Sequence, residues 1–174
     1  MKALLASAFL LLAGSATAAH AAEAPGAVER LTIKDECTTL LVTYGEGLDE
    51  VNPLKIWPIF TADGVWSADA NPPVAGQAAI RKMWEGLAAR KRPSVGIHAI
   101  SNIRFDVIDG ASAHGTALVT MHRYDPARLD RITSLAADML IEIDMHCIAT
   151  PDGWRFDRMH LKSVQVAGYV HGEN

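Results

Sequence analysis

The chain changes period once, near residue 94, and that switch limits its architecture more than any other feature. Before it, apolar residues recur at helical spacing: Ile33, Cys37, Leu40, Leu41, Tyr44 and Leu48 follow one another at steps of 4, 3, 1, 3 and 4. That is one face of a helix over about Glu29 to Leu48. After it, four long segments are rich in Val, Ile, Thr and aromatics: Ser94–Ile108, Ala111–Tyr124, Ala137–Ala149 and Trp154–Val170. Asp109-Gly110 and Asp152-Gly153 punctuate them as turns. Helices first and strands afterwards predict an α+β fold, with helices packed on one face of a curved antiparallel sheet.

Two shorter helices are expected between these halves. Asn52-Pro53 offers an N-cap with proline at the first helical position. The helix it opens, Leu54 to about Thr61, is apolar nearly all round, and Pro58 should kink or tighten it. Ala62-Asp63-Gly64 is a turn, and Val65-Trp66-Ser67 begins a short extended segment. Residues 68–75 read as a loop by composition. Gly76 to about Arg90 forms the third helix, with Ile80, Met83, Trp84 and Leu87 on one face. Residues 125–136 are a charged connection between strands.

The N-terminus is expected to be a secretory leader. Lys2 precedes a largely apolar run from Ala3 to Ala13, and two small-x-small sites follow at Ala16-Thr17-Ala18 and Ala19-His20-Ala21. The run is too short to anchor the chain in a membrane. Removing residues 1–21 from 174 leaves about 150, the size of one domain. Residues 22–28 read as a loose leader and 29–174 as a single domain, exported to the periplasm or secreted. Lys2 leaves with the leader, so 16 basic residues become 15 against 20 acidic, and the net charge moves from -4 to -5. No basic stripe favours nucleic acid. The short run Arg90-Lys91-Arg92 suits a helix C-terminus. No Cys/His spacing resembles a zinc site, so no metal is expected. Cys37 and Cys147 fit either a disulfide or two buried thiols.

The stretch Thr43–Trp66 concentrates the candidate chemistry. It sets a phenol (Tyr44) and a carboxylate (Asp49) beside apolar side chains, the composition of a pocket for a small hydrophobic molecule. Asp49 lies with Glu46 and Glu50 at a helix C-terminus, where acids oppose the macrodipole. On the first long strand, regular alternation places His98 with Ile100, Asn102, Arg104 and Asp106, on the face opposite Ile103 and Phe105. For His98 to line a pocket beside Ile103 and Phe105, the strand must break register, most simply by a bulge near Ser101-Asn102. His114 and His122 share a parity with Thr116 and Leu118 and are expected outside.

Several of these elements recur in order: Tyr44-x4-Asp49, Trp57-Pro58-Ile59-Phe60-Thr61-Ala62-Asp63-Gly64-Val65-Trp66, Gly76, His98-x2-Ser101-Asn102, and Asp152-Gly153-Trp154-Arg155-Phe156. In this the chain resembles, over Glu29 to about Tyr169, the SnoaL-like group of the nuclear-transport-factor-2-like superfamily. The resemblance implies a cone-shaped curved antiparallel sheet, an α+β barrel wrapped round the long helix, with a pocket at its open end. The group holds dehydratases, polyketide cyclases, steroid isomerases and domains that only bind or assemble. By resemblance, His98 is the base that takes a proton next to a carbonyl, Asp49 the carboxylate that orients it, and Tyr44 the phenol facing the substrate oxygen. Where bile-acid dehydratases carry an acid on the second long strand, this chain has Met121, with His122 beside it.

The reading is therefore a cofactor-free dehydratase or isomerase acting on a hydrophobic carbonyl compound. Trp57, Phe60, Trp66, Met83 and Met121 would form the pocket wall. The alternative is a non-catalytic exported domain that holds a small hydrophobic ligand. A homodimer is expected, with no nucleic-acid partner and no membrane attachment once the leader is removed.

Overall fold

The computed structural model describes residues 24–69, 71–90, 95–124 and 137–166. The leader at 1–21, Lys91-Arg92 and the connection 125–136 lie outside the described residues. Helix α1 spans Ala27–Asp49, beginning within the segment expected to be a loose leader. Its stripe of Ile33, Cys37, Leu41 and Tyr44 is buried, as the spacing requires. The helix ends in paired backbone bonds, Val51 N–H to Leu48 O at 3.3 Å and Asn52 N–H to Gly47 O at 2.8 Å. This is a Schellman closure, which puts the residue after the cap in the left-handed region. Here that residue is Val51, at φ 54°, where a β-branched side chain is strained.

The second helix is shorter than its apolar run suggests. Asn52 caps it by accepting the Leu54 N–H at 3.1 Å, and α2 covers only Pro53–Ile56. Pro58 has no N–H to continue the α pattern. The chain tightens into a 3-10 turn at Trp57–Ile59 and leaves as strand β1, Phe60–Ala68, rather than staying helical to Thr61. The segment read as a loop contains β2, Asn71–Ala75, antiparallel to β1. Pro72 and Pro73 are tolerated because β2 is an edge strand. Helix α3, Gln77–Ala88, starts after Gly76, whose φ of 88° suits glycine. Gln77 Nε2–H fastens it to β1 by donating to Phe60 O at 2.8 Å. Four long strands follow: β3 (Val95–Asp109), β4 (Ser112–Tyr124), β5 (Ala137–Thr150) and β6 (Gly153–Val166).

The sheet corrects the expected architecture. Six strands lie in the order β2-β1-β6-β5-β4-β3, and β1 runs parallel to β6, so the sheet is mixed. It is not closed into a barrel or curled into a cone. β2 and β3 are its two edges and do not pair. The long strands add to one another by antiparallel pairing, while β1 joins the free side of β6. Closure would need β2 to accept another strand, and its two prolines offer no N–H for one. Helix α1 packs across β3, β4 and β6, and α3 packs on β1 and β2. Between helices and sheet lie Phe60, Phe105, Ala117, Met145, Phe156 and Met159, all buried. A disulfide between Cys37 and Cys147 ties α1 to β5.

Candidate functional site

Strand β3 carries the break in register on which the position of His98 depends. Against β4 its pairing shifts between Ser101 and Arg104, and Asn102 sits in the left-handed region at φ 52°. Before the bulge the covered residues are Gly96, His98 and Ile100, each partly; after it they are Ile103 and Val107, partly, and Phe105, fully. One extra residue has moved the even positions inward upstream and the odd positions inward downstream. His98 and Ile103 therefore face the same layer.

Asp49 meets His98 from the end of α1. His98 Nδ1 lies 2.6 Å from Asp49 Oδ1, and the His98 backbone N–H donates to the same oxygen at 3.0 Å. The imidazole is 13% exposed and the carboxylate 35%. A carboxylate only accepts, so Nδ1 carries the proton and Nε2 is left as the basic nitrogen of the neutral ring. The acids at this helix end are also compensated. Lys55 Nζ reaches Glu46 at 3.0 Å and Glu50 at 2.7 Å. Its ammonium holds the Glu50 carboxyl below the usual carboxylate range, while those two carboxylates raise the pKa of Lys55.

A cavity of about 150 Å³ opens beside this pair. Leu48, Ile100, Val119, Ile141, Ile143 and Leu161 supply its aliphatic walls, and Tyr44, Trp66 and Trp84 its aromatic ones. Gly45 belongs to it because a side chain there would press on Ile100 Cδ1, 2.7 Å from where a Cβ would sit. Trp84 stands edge-on to Tyr44 (centroids 6.1 Å, 82°) and to Trp66 (5.9 Å, 80°). Trp66 Nε1–H donates to the Tyr44 hydroxyl at 3.1 Å. Burial pushes the Tyr44 pKa up, against the smaller lowering effect of that bond. The phenol stays protonated at neutral pH and, having accepted from Trp66, has its own proton to give.

The structure thus brings His98, Asp49, Tyr44 and Trp66 to one place. It sets the other wall candidates elsewhere. Phe60 is buried against Phe156, with centroids 6.2 Å apart. The Arg81 guanidinium lies 5.3 Å over the Trp57 ring. Met83 packs on the core, and Met121 pairs with His98 across β3 and β4 without lining the cavity. Trp84 takes the wall position instead. Its signal was present in the stripe Ile80, Met83, Trp84 and Leu87, but which of these faces a space depends on packing against β1.

Among the described residues three further His–Asp pairs occur: His114–Asp144 and His146–Asp157, each at 2.7 Å, and His160–Asp69 at 3.0 Å. None of them borders the cavity, which singles out His98–Asp49. His114 lies on the outer face as expected from its parity. His122 does not simply follow it: the register shifts between Met121 and His122, and the His122 Nδ1 is buried.

A family model for the SnoaL-like domain matches residues 29–160. No curated protein matches the sequence. Among solved structures, a nuclear-transport-factor-2-like protein with a cystatin-like fold from Novosphingobium aromaticivorans is 17% identical, with a TM-score of 0.65 over 79% of this chain and 86% of its own. A protein provisionally named a scytalone dehydratase, from the same organism, is 19% identical, with a TM-score of 0.65 over 86% and 100%. ActVI-ORFA from Streptomyces coelicolor is 14% identical, with a TM-score of 0.65 over 78% and 99%. Likeness at these identities is one of fold. With the match across most of its length, the chain belongs to the SnoaL-like domain family.

Proposed function

We propose that this protein is a small exported enzyme that moves a proton next to the carbonyl of a hydrophobic compound, without a cofactor, in a dehydration or isomerisation. The observation that carries the reading is the His98–Asp49 contact of 2.6 Å at the edge of an apolar cavity. Nε2 of His98 takes the proton from the carbon beside the carbonyl, and the electron pair moves to the carbonyl oxygen. Tyr44 donates to that oxygen as its charge grows, the electrostatic share of the work. The imidazolium, steadied by Asp49, then returns the proton to a departing hydroxyl, which leaves as water, or to a remote carbon of the enolate. The likeness to the protein provisionally named a scytalone dehydratase supports the dehydration arm. The Cys37–Cys147 disulfide supports export, since such bonds persist in oxidising compartments.

His98→Ala tests this directly. Turnover should fall by about 10² to 10⁴, the usual worth of a positioned general base, with melting temperature and far-UV spectrum retained. Unchanged turnover in a folded variant would exclude the mechanism. The second reading is a domain that only holds its ligand. It is favoured by the three His–Asp pairs that border no cavity, because they show that such a pair can be purely structural here. That reading expects no turnover by the wild-type protein on any carbonyl compound it binds.

A further inference from the structure

Gly45 lines the cavity from inside α1, a place where glycine is less stable than alanine. The backbone does not ask for it. Among the described glycines only Gly76 and Gly153 have positive φ, so the conformational freedom of a glycine is not used at position 45. Close packing of main chain does not ask for it either. A Cβ at Gly47 would meet Ile56 Cγ1 at 2.5 Å, Lys55 Cβ at 3.1 Å and Asn52 O at 3.3 Å, so that glycine serves the junction of α1 with α2. Beyond its own helix, a Cβ at Gly45 would meet one neighbour, the end of the Ile100 side chain: Cδ1 at 2.7 Å and Cγ1 at 3.6 Å.

This contact stands one helical turn before the meeting of Asp49 with His98. Four residues along α1 advance about 6 Å and two along β3 about 6.6 Å. Gly45–Ile100 and Asp49–His98 are therefore successive rungs between the helix and the strand. Ile100 and His98 border the same cavity. The Cδ1 methyl of Ile100 lies back against α1, in the berth that a side chain at position 45 would fill. A β-branched residue is stiff at χ1, so the end of the side chain is the part that can turn. The open space it borders is the cavity.

We propose that Gly45 is a positioning residue that sets the specificity of the cavity: it berths the Ile100 methyl against α1 and so leaves the space beside His98 to the ligand. The inference deepens the proposed function and rests on it for the identity of the cavity as the substrate site. The helix forgoes stability at this position and the site gains room. Alanine at position 45 turns the methyl into the ligand's place and excludes larger carbonyl compounds before smaller ones. The Asp49–His98 contact survives, because only the end of one side chain has to give.

Calorimetric titration of the full chain with two neutral ketones, cyclohex-2-enone and the larger 1-tetralone, tests this in four proteins: wild type, Gly45→Ala, Ile100→Val and Gly45→Ala/Ile100→Val. Small ketones bind weakly, so concentrations up to about 5 mM are needed. Gly45→Ala should melt at the wild-type temperature or above it. It should weaken tetralone about tenfold or more, the scale on which one methylene counts in an apolar pocket, and cyclohexenone less than about threefold. Ile100→Val removes Cδ1, and the next atom stands 3.6 Å from a Cβ at position 45, an ordinary contact. The double variant should therefore bind both ketones as Ile100→Val does, a rescue that general damage to the helix would not show. Equal loss of both ketones, no loss, no rescue, a marked fall in the melting temperature of Gly45→Ala, or a wild type that does not bind both ketones would each overturn the inference. Failure of the catalytic reading would look different: His98→Ala would keep its turnover while the ketone pattern and its rescue stayed as described.

Discussion

The Tyr44 side chain is 1% exposed, yet its hydroxyl accepts from Trp66 and lines the cavity. Its phenol group titrates near 10.0 when unfolded, and burial raises that value in the folded chain, so the folded state holds the proton more tightly. The stability this confers is whole below pH 10 and is lost as pH rises through the folded value. Urea midpoints should therefore fall steeply with pH above about 10 in the wild type, and less so in Tyr44→Phe. Parallel alkaline profiles for the two proteins would mean that Tyr44 does not carry the effect. The burial of this residue was legible in the sequence, which also made it a candidate for the site. Its place on the α1 stripe marked it as core, and the family resemblance carried by Tyr44-x4-Asp49 made it a candidate for the site. What could not be read was the donor: Trp66 is 22 residues away, and only the packing of β1 beneath α1 brings the two together.

Strand β3 shows how far reasoning from alternation reaches. Strict period-2 patterning turns His98 away from the layer of Phe105, and the chemistry asked of it required a bulge near Ser101-Asn102, where the register does shift. The bulge holds Asn102 at φ 52°, a conformation asparagine accepts and β-branched residues resist. Asn102→Val should cost about 1–2 kcal/mol in chemical denaturation, and Asn102→Gly close to nothing. Equal stability for all three proteins would show that the bulge does not depend on that dihedral. Other elements were hidden from the same logic. Pro72-Pro73 spelled a loop, although an edge strand can carry prolines whose missing N–H faces outward. The helix run from Leu54 looked continuous because its residues are apolar all round, which says nothing about where Pro58 ends the α pattern. The acids closing α1 lacked visible compensation in sequence; Lys55 and His98 supply it from the next helix and from a distant strand.

Across the whole molecule, the succession of helices and strands was readable and the closure of the sheet was not. Period and turn signals identify β3 to β6 one by one, but no local signal says that β1 lies beside β6 or that the edges stay apart. For the same reason the cavity walls from β5 and β6 (Ile141, Ile143 and Leu161) were invisible. The disulfide is equally remote in sequence, its cysteines 110 positions apart. A loop of that length implies about 5 kcal/mol of stabilisation in the chain-entropy view, and measured native bonds give about 2–5. The Cys37→Ala/Cys147→Ala double variant should lose about 2–5 kcal/mol in urea denaturation. A loss below about 1 kcal/mol would place the bond outside the determinants of stability.

The pairing of β1 with β6 reaches beyond stability. Trp66 lies opposite Met159 in that pairing, so the strand bearing one wall of the cavity, paired early with β2, gains its second neighbour only when β6 arrives. Contacts this remote close slowly, because a long stretch of chain must be ordered before they are rewarded. During synthesis the cavity has no complete form until β6 has emerged, because Leu161 of that strand is one of its walls. A chain that lacked β6 would lack the Leu161 wall of the cavity and the strand on which β1 rests.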